Sequence, residues 1–436
     1  MLTSPSPHLT LLLLFTRFAS VSSRSHLKTL AMTTDLLLLL LLLLLLSSSR
    51  LALAAAFGVW INGAASSSPQ SQEYEALQAL KAAVVEDPRG ALASWQGPNV
   101  CAYRGVYCSA PPDDAAASGA VVAGIDLNRA NLRGTLPAAV SLLAHLTFLH
   151  LNSNRLAGQP PDSLRDLQYL TELDLSNNLF SGPFPAAALL IPSLVYLDLR
   201  FNAFSGGIPA EAFAKSSLDA LFLNNNQFDG EIPETLWSSP ATVITLANNR
   251  LTGPVPSAYG YGGRVREVLF LNNKLSGCIP EELGFLPTIE VLDLSYNSLS
   301  GHLPPTLSCL AGIEVLNIAH NQFTGELPDL VCDLKRMTNL SVSFNFFSGI
   351  SQHCDRLAGR SVFDFVGNCV PGRGLQRPPP ECDGGPGDGG LSCLRSIPVT
   401  RPVPCAQASV SVGVGVIVGG AMPSFGAGGV VTVTVP

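Results

Sequence analysis

Charge is scarce in this chain. Only 13% of its 436 residues are Asp, Glu, Lys or Arg, and the balance is −7. With 25 Lys and Arg against 32 Asp and Glu there is no basic stripe, which argues against nucleic acid and leaves basic partners as the better match. The ten cysteines lack any C-x2-C…C-x2-C spacing, so they read as disulfides rather than metal ligands. No Gly-rich phosphate loop, nucleophile elbow or His-x3-His is present. The seven histidines are scattered, and three of them precede Leu149. Asp174, Asp198 and Asp293 resemble paired catalytic carboxylates, but they recur at one slot of a repeat. The chain therefore reads as a non-enzyme with no cofactor and no metal.

What is abundant is repetition. Leu149-His150-Leu151-Asn152-Ser153-Asn154 returns as Leu173-Asp174-Leu175-Ser176-Asn177-Asn178, and the pattern then places Asn at 202, 226, 249, 273, 297, 321 and 345. The steps are 24 residues, except for 23 between Asn226 and Asn249; an earlier copy at Leu127 carries Ala130 in the Asn slot. The other half of each copy reads Gly-x-Leu/Ile-Pro, as in Gly230-Glu231-Ile232-Pro233 and Gly325-Glu326-Leu327-Pro328. This is a leucine-rich repeat array of about ten units. Leu-x-Leu is a short strand with one buried face. A lone strand of that kind cannot bury its leucines, so the copies stack in register. The Asn sits where the chain leaves the strand and satisfies backbone groups of its own and the adjacent copy. The expected fold is an α/β-type repeat solenoid, curved and right-handed, with a helical, disulfide-bearing N-terminal cap.

The ends carry other signals. Leu36 to Leu46 is an unbroken leucine run, too short to span a bilayer but suited to the core of a signal peptide; small residues follow it, and Met32 is a candidate start. No stable membrane span is expected. The chain divides into a targeting region (1–65), a cap (66–120), the repeats (121–350), a Cys-rich cap or hinge (351–405) and a Gly/Val-rich tail (406–436). In the cap, Glu73 to Val85 reads as an amphipathic helix with Leu77, Leu80 and Val84 on one face, followed by a loop closed by Cys101 and Cys108; 111–119 is a low-complexity insertion. Cys309 and Cys332 hold nearly the same slot in successive copies and are expected to bond to each other. Cys354, Cys369, Cys382, Cys393 and Cys405 supply what a sparse apolar content cannot. Cys278 has no obvious partner and reads as a buried thiol or as an intermolecular disulfide that would make a homodimer.

Several strings go beyond a generic repeat. Asn99-Val100-Cys101…Gly105-Val106-Tyr107-Cys108, Leu197-Asp198-Leu199-Arg200-Phe201-Asn202, Phe222-Leu223-Asn224-Asn225-Asn226, Leu269-Phe270-Leu271-Asn272-Asn273 with Gly277-Cys278, and Ser343-Phe344-Asn345-Phe346-Phe347-Ser348-Gly349 resemble the plant leucine-rich repeat extensins. The resemblance spans roughly Glu73 to Cys382. It implies plant-specific repeats in a secreted cell-wall protein, binding secreted basic peptides of the rapid-alkalinization type, and a hydroxyproline-rich module that fixes the protein in the wall. That module is written in Ser-Pro-Pro-Pro-Pro blocks. None occurs here, and Pro378 to Pro380 is the single triple proline, so the extensin tail is the part of the pattern from which this sequence departs.

The residues between and just after the strand leucines point away from the core, toward the hollow side of a solenoid. They include Phe148, His150, Glu172, Asp174, Tyr196, Asp198, Arg200, Phe222, Glu267, Asp293, Tyr296, Asn317 and His320. Carboxylates outnumber cations and aromatics are interleaved. This suits a basic, partly apolar peptide, with aromatics as anchors and carboxylates steering its approach; the plainer alternative is a set of solvated strand positions. Asn339-Leu340-Ser341 is the one glycosylation sequon after the leucine run, on a strand position of the same face. Two other readings remain: an inhibitor of wall-degrading polygalacturonases, since such inhibitors resemble this chain in their ten repeats and cap, and a structural wall glycoprotein that binds pectin.

Overall fold

The computed structural model describes residues 69–111, 119–258, 263–350, 354, 357, 362–385 and 405. The targeting region, the tail, Cys393 and most of the low-complexity insertion lie outside them. Among the described residues, no helix is long and apolar enough to cross a membrane.

Each copy of the repeat contributes a three-residue strand whose middle residue faces inward. Leu149, Leu173, Leu197, Leu221, Ile244, Val268, Leu292, Leu316 and Leu340 are completely or almost completely buried. These strands pair in parallel, residue for residue, from Val121–Asp126 to Val362–Asp364. With the antiparallel strand Val106–Ser109 at one edge they make a twelve-stranded sheet. On the far side of most copies lies a second short strand, and Arg155–Gly158 and Leu179–Gly182 end at glycines with positive φ (88° and 95°), where a Cβ would be strained. A proline in extended conformation then opens a short 3₁₀ turn, as Pro280 does before Glu281–Phe285. The second sheet is broken into six and four strands, whereas the main sheet is continuous. The 23-residue step leaves that main sheet intact, for Ala220 still pairs with Val243. A one-residue slip in a strand would turn every leucine outward, so the shortfall is absorbed in the turn between Pro233 and Val243.

The leucines alone do not close the stack. Asn226 donates from Nδ2 to the carbonyls of Leu199 (2.9 Å) and Leu223 (3.1 Å), and its Oδ1 accepts the Phe204 amide (3.1 Å). Asn249 does the same one copy later, to Leu223, Leu246 and Phe228. Each amide thus pairs backbone groups in two neighbouring copies that water does not reach. Beside this ladder lies a spine of buried aromatics, in which Phe180, Phe204 and Phe228 stack at centroid spacings of 6.4 and 6.2 Å.

Both ends depart from the expected boundaries. The first helix, Pro69–Ala83, buries Leu77 and Leu80 but stops before Val84. Val84–Glu86 leaves the helix to form a strand antiparallel to Arg133–Gly134, because that edge of the second sheet offers it hydrogen bonds a helix terminus would lack. Trp95 is fully buried, stacks on Tyr103 and donates to the Arg104 carbonyl; Cys101–Cys108 closes the loop beside it. At the other end the stack does not stop at 350. Val362–Asp364 adds a strand, and Asn368 continues the ladder to Val342, Phe365 and Phe347.

The expected Cys309–Cys332 bond is not formed. Cys332 points into the core and joins the equally buried Cys354, while Cys309, half-buried on the outside of its turn, joins Cys405. Equal slots in the repeat did not mean equal side-chain direction. Cys369 bonds to Cys382, and Cys278 is also in a disulfide rather than a free thiol.

Replacing Asn226 by Ala strands a buried amide and two carbonyls, so the urea unfolding free energy of the variant should fall by roughly 2–5 kcal/mol, several times the effect of an exposed Asn→Ala change. A loss below about 1 kcal/mol would show that the ladder is not what holds neighbouring copies together.

Candidate functional site: the exposed face of the main sheet

Because the strand register is exact, the two outward positions of each strand line up in rows. One row runs Phe148, Glu172, Tyr196, Ala220, Val243, Glu267, Val291, Val315, Asn339. Its partner runs His150, Asp174, Asp198, Phe222, Thr245, Leu269, Asp293, Asn317, Ser341. Most of the residues singled out from the sequence fall in these rows. Arg200, Tyr296 and His320 lie just beyond, where the chain turns out of the strand.

The rows are chemically uneven. On the four strands from Phe148–His150 to Ala220–Phe222 the face is aromatic and charged. Phe148 packs against Tyr107 and His150, with centroids at 5.6 and 5.0 Å, and lies over Gly124, where a Cβ would collide with its ring. His150 Nε2 is 2.9 Å from Glu172 Oε2. Tyr196 meets Phe222 at 5.3 Å, and the Arg200 guanidinium sits 4.9 Å above the Phe222 ring. Further along, Val243, Leu269, Val291 and Val315 make the same rows largely aliphatic, relieved by Glu267, Asp293 and Asn317.

Not every carboxylate on this face is free to meet a ligand. Asp198 is a correction to the sequence reading: its side chain is completely buried. Tyr196 donates to its Oδ2 (3.2 Å), the Arg200 amide to its Oδ1 (3.1 Å), and Arg200 Nε lies 2.8 Å from Oδ2. Asp293 is also largely committed, accepting from Ser295 at Oδ1 and from Asn317 at Oδ2. Both aspartates tie down the turn two residues on, as Asp174 does through Ser176. Asp174 and Glu172 keep partial exposure, as does Glu267.

Burial, with the nearby Asp174 charge second, raises the Asp198 pKa to about 6 despite the opposing Arg200 cation. Tyr196 is pushed up to about 12, by burial first and then by the charges of Asp198 and Asp174.

The sequence reading named Tyr296 and His320 but not Phe201 and Phe344, which hold the same slot of the repeat. The residue before each ladder Asn has positive φ, from Ser153 (59°) to Phe344 (54°), and its side chain stands at the rim of the sheet. There Tyr296, His320 and Phe344 stack at 4.0 and 4.3 Å, nearly parallel, and Phe201 stands exposed further back. The signal was present as an aromatic immediately before the Asn. Burial lowers the His320 pKa, with Asp364 acting to raise it and Arg377 to lower it.

Models of known families match in the expected places. The leucine rich repeat N-terminal domain matches residues 70–109, and leucine rich repeats match 144–204, 217–239, 288–310 and 312–334. The chain is a leucine-rich repeat protein with its N-terminal cap. Its sequence is similar to that of the leucine-rich repeat extensins. Pollen-specific leucine-rich repeat extensin-like protein 3 of Arabidopsis thaliana is 47% identical over 78 residues, and leucine-rich repeat extensin-like protein 2 of the same plant 44% over 80. Each match covers 18% of this chain and 10% of the relative, so the chain spans about a tenth of the length of these curated relatives.

Among solved structures, the leucine-rich repeat ectodomain of the Arabidopsis thaliana receptor kinase GASSHO1/SCHENGEN3, in complex with CASPARIAN STRIP INTEGRITY FACTOR 2, is 33% identical with a TM-score of 0.51, over 56% of this chain and 29% of that one. The plant peptide hormone receptor RGFR1 in complex with RGF2 is 28% identical with a TM-score of 0.52, over 57% and 39%. A plant ice-binding protein is 26% identical with a TM-score of 0.56, over 69% and 96%.

The raised Asp198 pKa has a definite sign. Between about pH 4 and pH 6 the folded state holds a proton that the unfolded chain has released, so the Asp198 contribution to stability is greatest below pH 4 and declines as pH climbs through 6. Relative to Asp198→Asn, the wild-type protein should lose ~1–3 kcal/mol between pH 4 and pH 7 in urea titrations. Parallel pH profiles for the two proteins would show that Asp198 is ionised throughout.

Proposed function

We propose that this is a secreted cell-wall protein that captures a basic signalling peptide of the rapid-alkalinization type on the exposed face of its main sheet, and through that capture regulates wall assembly and cell expansion. It carries out no reaction of its own; its work is to bind. The observation that bears most of the weight is the patch from Phe148 to Phe222. Four successive strands there offer the aromatic rings of Phe148, Tyr196 and Phe222 beside the carboxylates of Glu172 and Asp174. Rings that are already packed lose little freedom on binding, and carboxylates beside them favour Lys and Arg. The extensin-like relatives support the wall assignment, and the peptide-bound receptor ectodomains support a peptide as the class of ligand.

The other predicted residues take lesser roles in this reading. Glu267 steers from within the aliphatic stretch, Asp293 and Asn317 hold each other there by a hydrogen bond, and Tyr296 and His320 form an aromatic rim. We place the glycan, if Asn339 carries one, at the far end of the same face, between Val315 and Val362 in the row. It would cover the aliphatic end and leave the charged, aromatic end open.

The test is binding of a synthetic basic peptide of this type to the purified protein by calorimetry. Phe148→Ala should weaken binding about tenfold or more, and Glu172→Gln with Asp174→Asn should reduce both affinity and its salt dependence. Unchanged affinity in both variants would remove the site from this face. Capture of a fungal polygalacturonase in place of the peptide would replace the reading with the inhibitor one.

A further inference from the structure

The chain is acidic overall, yet one concavity in it is lined by cations. Where the N-terminal cap meets the first strands of the main sheet lies an open pocket of about 360 Å³, bordered by Arg89, Arg104, Tyr107, Asn128 and Arg129, with Asp126 as its carboxylate. That volume is in the range of small-ligand sites. Arg89 donates to the Arg129 carbonyl and so braces the rim. The guanidinia of Arg104 and Arg129 have no hydrogen-bond or ion-pair partner among the described residues, and both residues are exposed. Asp126 is partly engaged, its Oδ1 accepting the Asn128 amide. Three guanidinia therefore face one carboxylate.

We propose that this pocket is a second binding site, specific for the carboxylates of a uronic-acid polysaccharide. Guanidinium forks bind carboxylates bidentately, and several around one opening favour a ligand that repeats its negative charge over one that ends in a single carboxylate. Tyr107, about half exposed at 53%, offers a ring beside them against which the apolar face of a pyranose can lie. Asn128 adds an exposed amide for sugar hydroxyls. The pocket lies at the cap end of the main sheet, where Asp126 pairs with His150, ahead of the strands that carry Glu172 and Asp174. Tyr107 also touches Phe148, so the two sites adjoin without sharing their charged groups. The wall polysaccharide that the sequence offered as a partner of the repeats is thereby assigned to the cap.

The proposal does not depend on the peptide reading, and one set of proteins tests both separately. The probes are an unesterified oligogalacturonate, its fully methyl-esterified counterpart and dextran sulfate, with the full chain on the sensor. The wild-type protein should bind the first, ignore the second and prefer the first to the third. Arg104→Gln with Arg129→Gln should weaken oligogalacturonate binding about tenfold or more, equivalent to 1.4 kcal/mol or above, with an unchanged melting temperature and unchanged affinity for the basic peptide. Tyr107→Ala should weaken it while leaving the salt dependence in place, since it removes stacking and no charge. The proposal is overturned if the double variant binds like wild type, if the esterified chain binds equally well, or if dextran sulfate binds as tightly as the oligogalacturonate. Binding of an acidic peptide in preference to the sugar would overturn it as well.

Discussion

Everything in this structure depends on a buried primary amide that recurs from Asn154 to Asn368. A short parallel strand has half its backbone facing its neighbours and half turning away into a loop that water cannot reach. Unpaired, each such group would cost about 1–3 kcal/mol, and a ten-fold stack would carry that penalty ten times over. A side chain with two donors and an acceptor at the strand exit removes it by spanning two copies at once. The leucines and the phenylalanine spine supply the apolar burial, but burial is indifferent to register. The amides are not: they accept one alignment of each copy on the next, and the rows on the exposed face inherit their order from it.

A stack built this way has two raw ends, and the chain spends different chemistry on each. The first is closed by a helix, a strand turned antiparallel into the sheet and the Trp95–Tyr103 pair, with a disulfide in the loop. The second is closed by one more strand, in which Phe363 stands level with Leu340, and by the disulfides Cys332–Cys354, Cys309–Cys405 and Cys369–Cys382. An apolar cap relies on a core of its own, whereas covalent links restrict an end that has few apolar residues to bury.

The exposed face shows how a regular scaffold yields a local site. Every strand offers the same two outward positions, so recognition comes only from what occupies them. Aromatics and carboxylates are gathered on neighbouring strands at one end, and aliphatics at the other. The neighbouring cap brings cations. Two surfaces of opposite charge therefore adjoin at Tyr107 and Phe148, and the regular spacing of the solenoid keeps them apart without a linker.

The sequence by itself determined the repeat, the parallel order of the strands, the inward leucines, the ladder amides and which residues would share the outer rows. All of these follow from local periodicity, and a 24-residue period leaves little freedom in how successive copies stack. The tertiary structure decided the rest. It buried Asp198 beneath Tyr196 and Arg200, although its slot equals that of the partly exposed Asp174. It paired Cys332 with Cys354 and not with Cys309, carried the stack on to Asn368, and brought Arg89, Arg104 and Arg129 around one opening from three separate turns. The physical reason is common to these cases: side-chain direction, burial and the meeting of distant loops depend on neighbours in space, and a period along the chain encodes only neighbours in sequence.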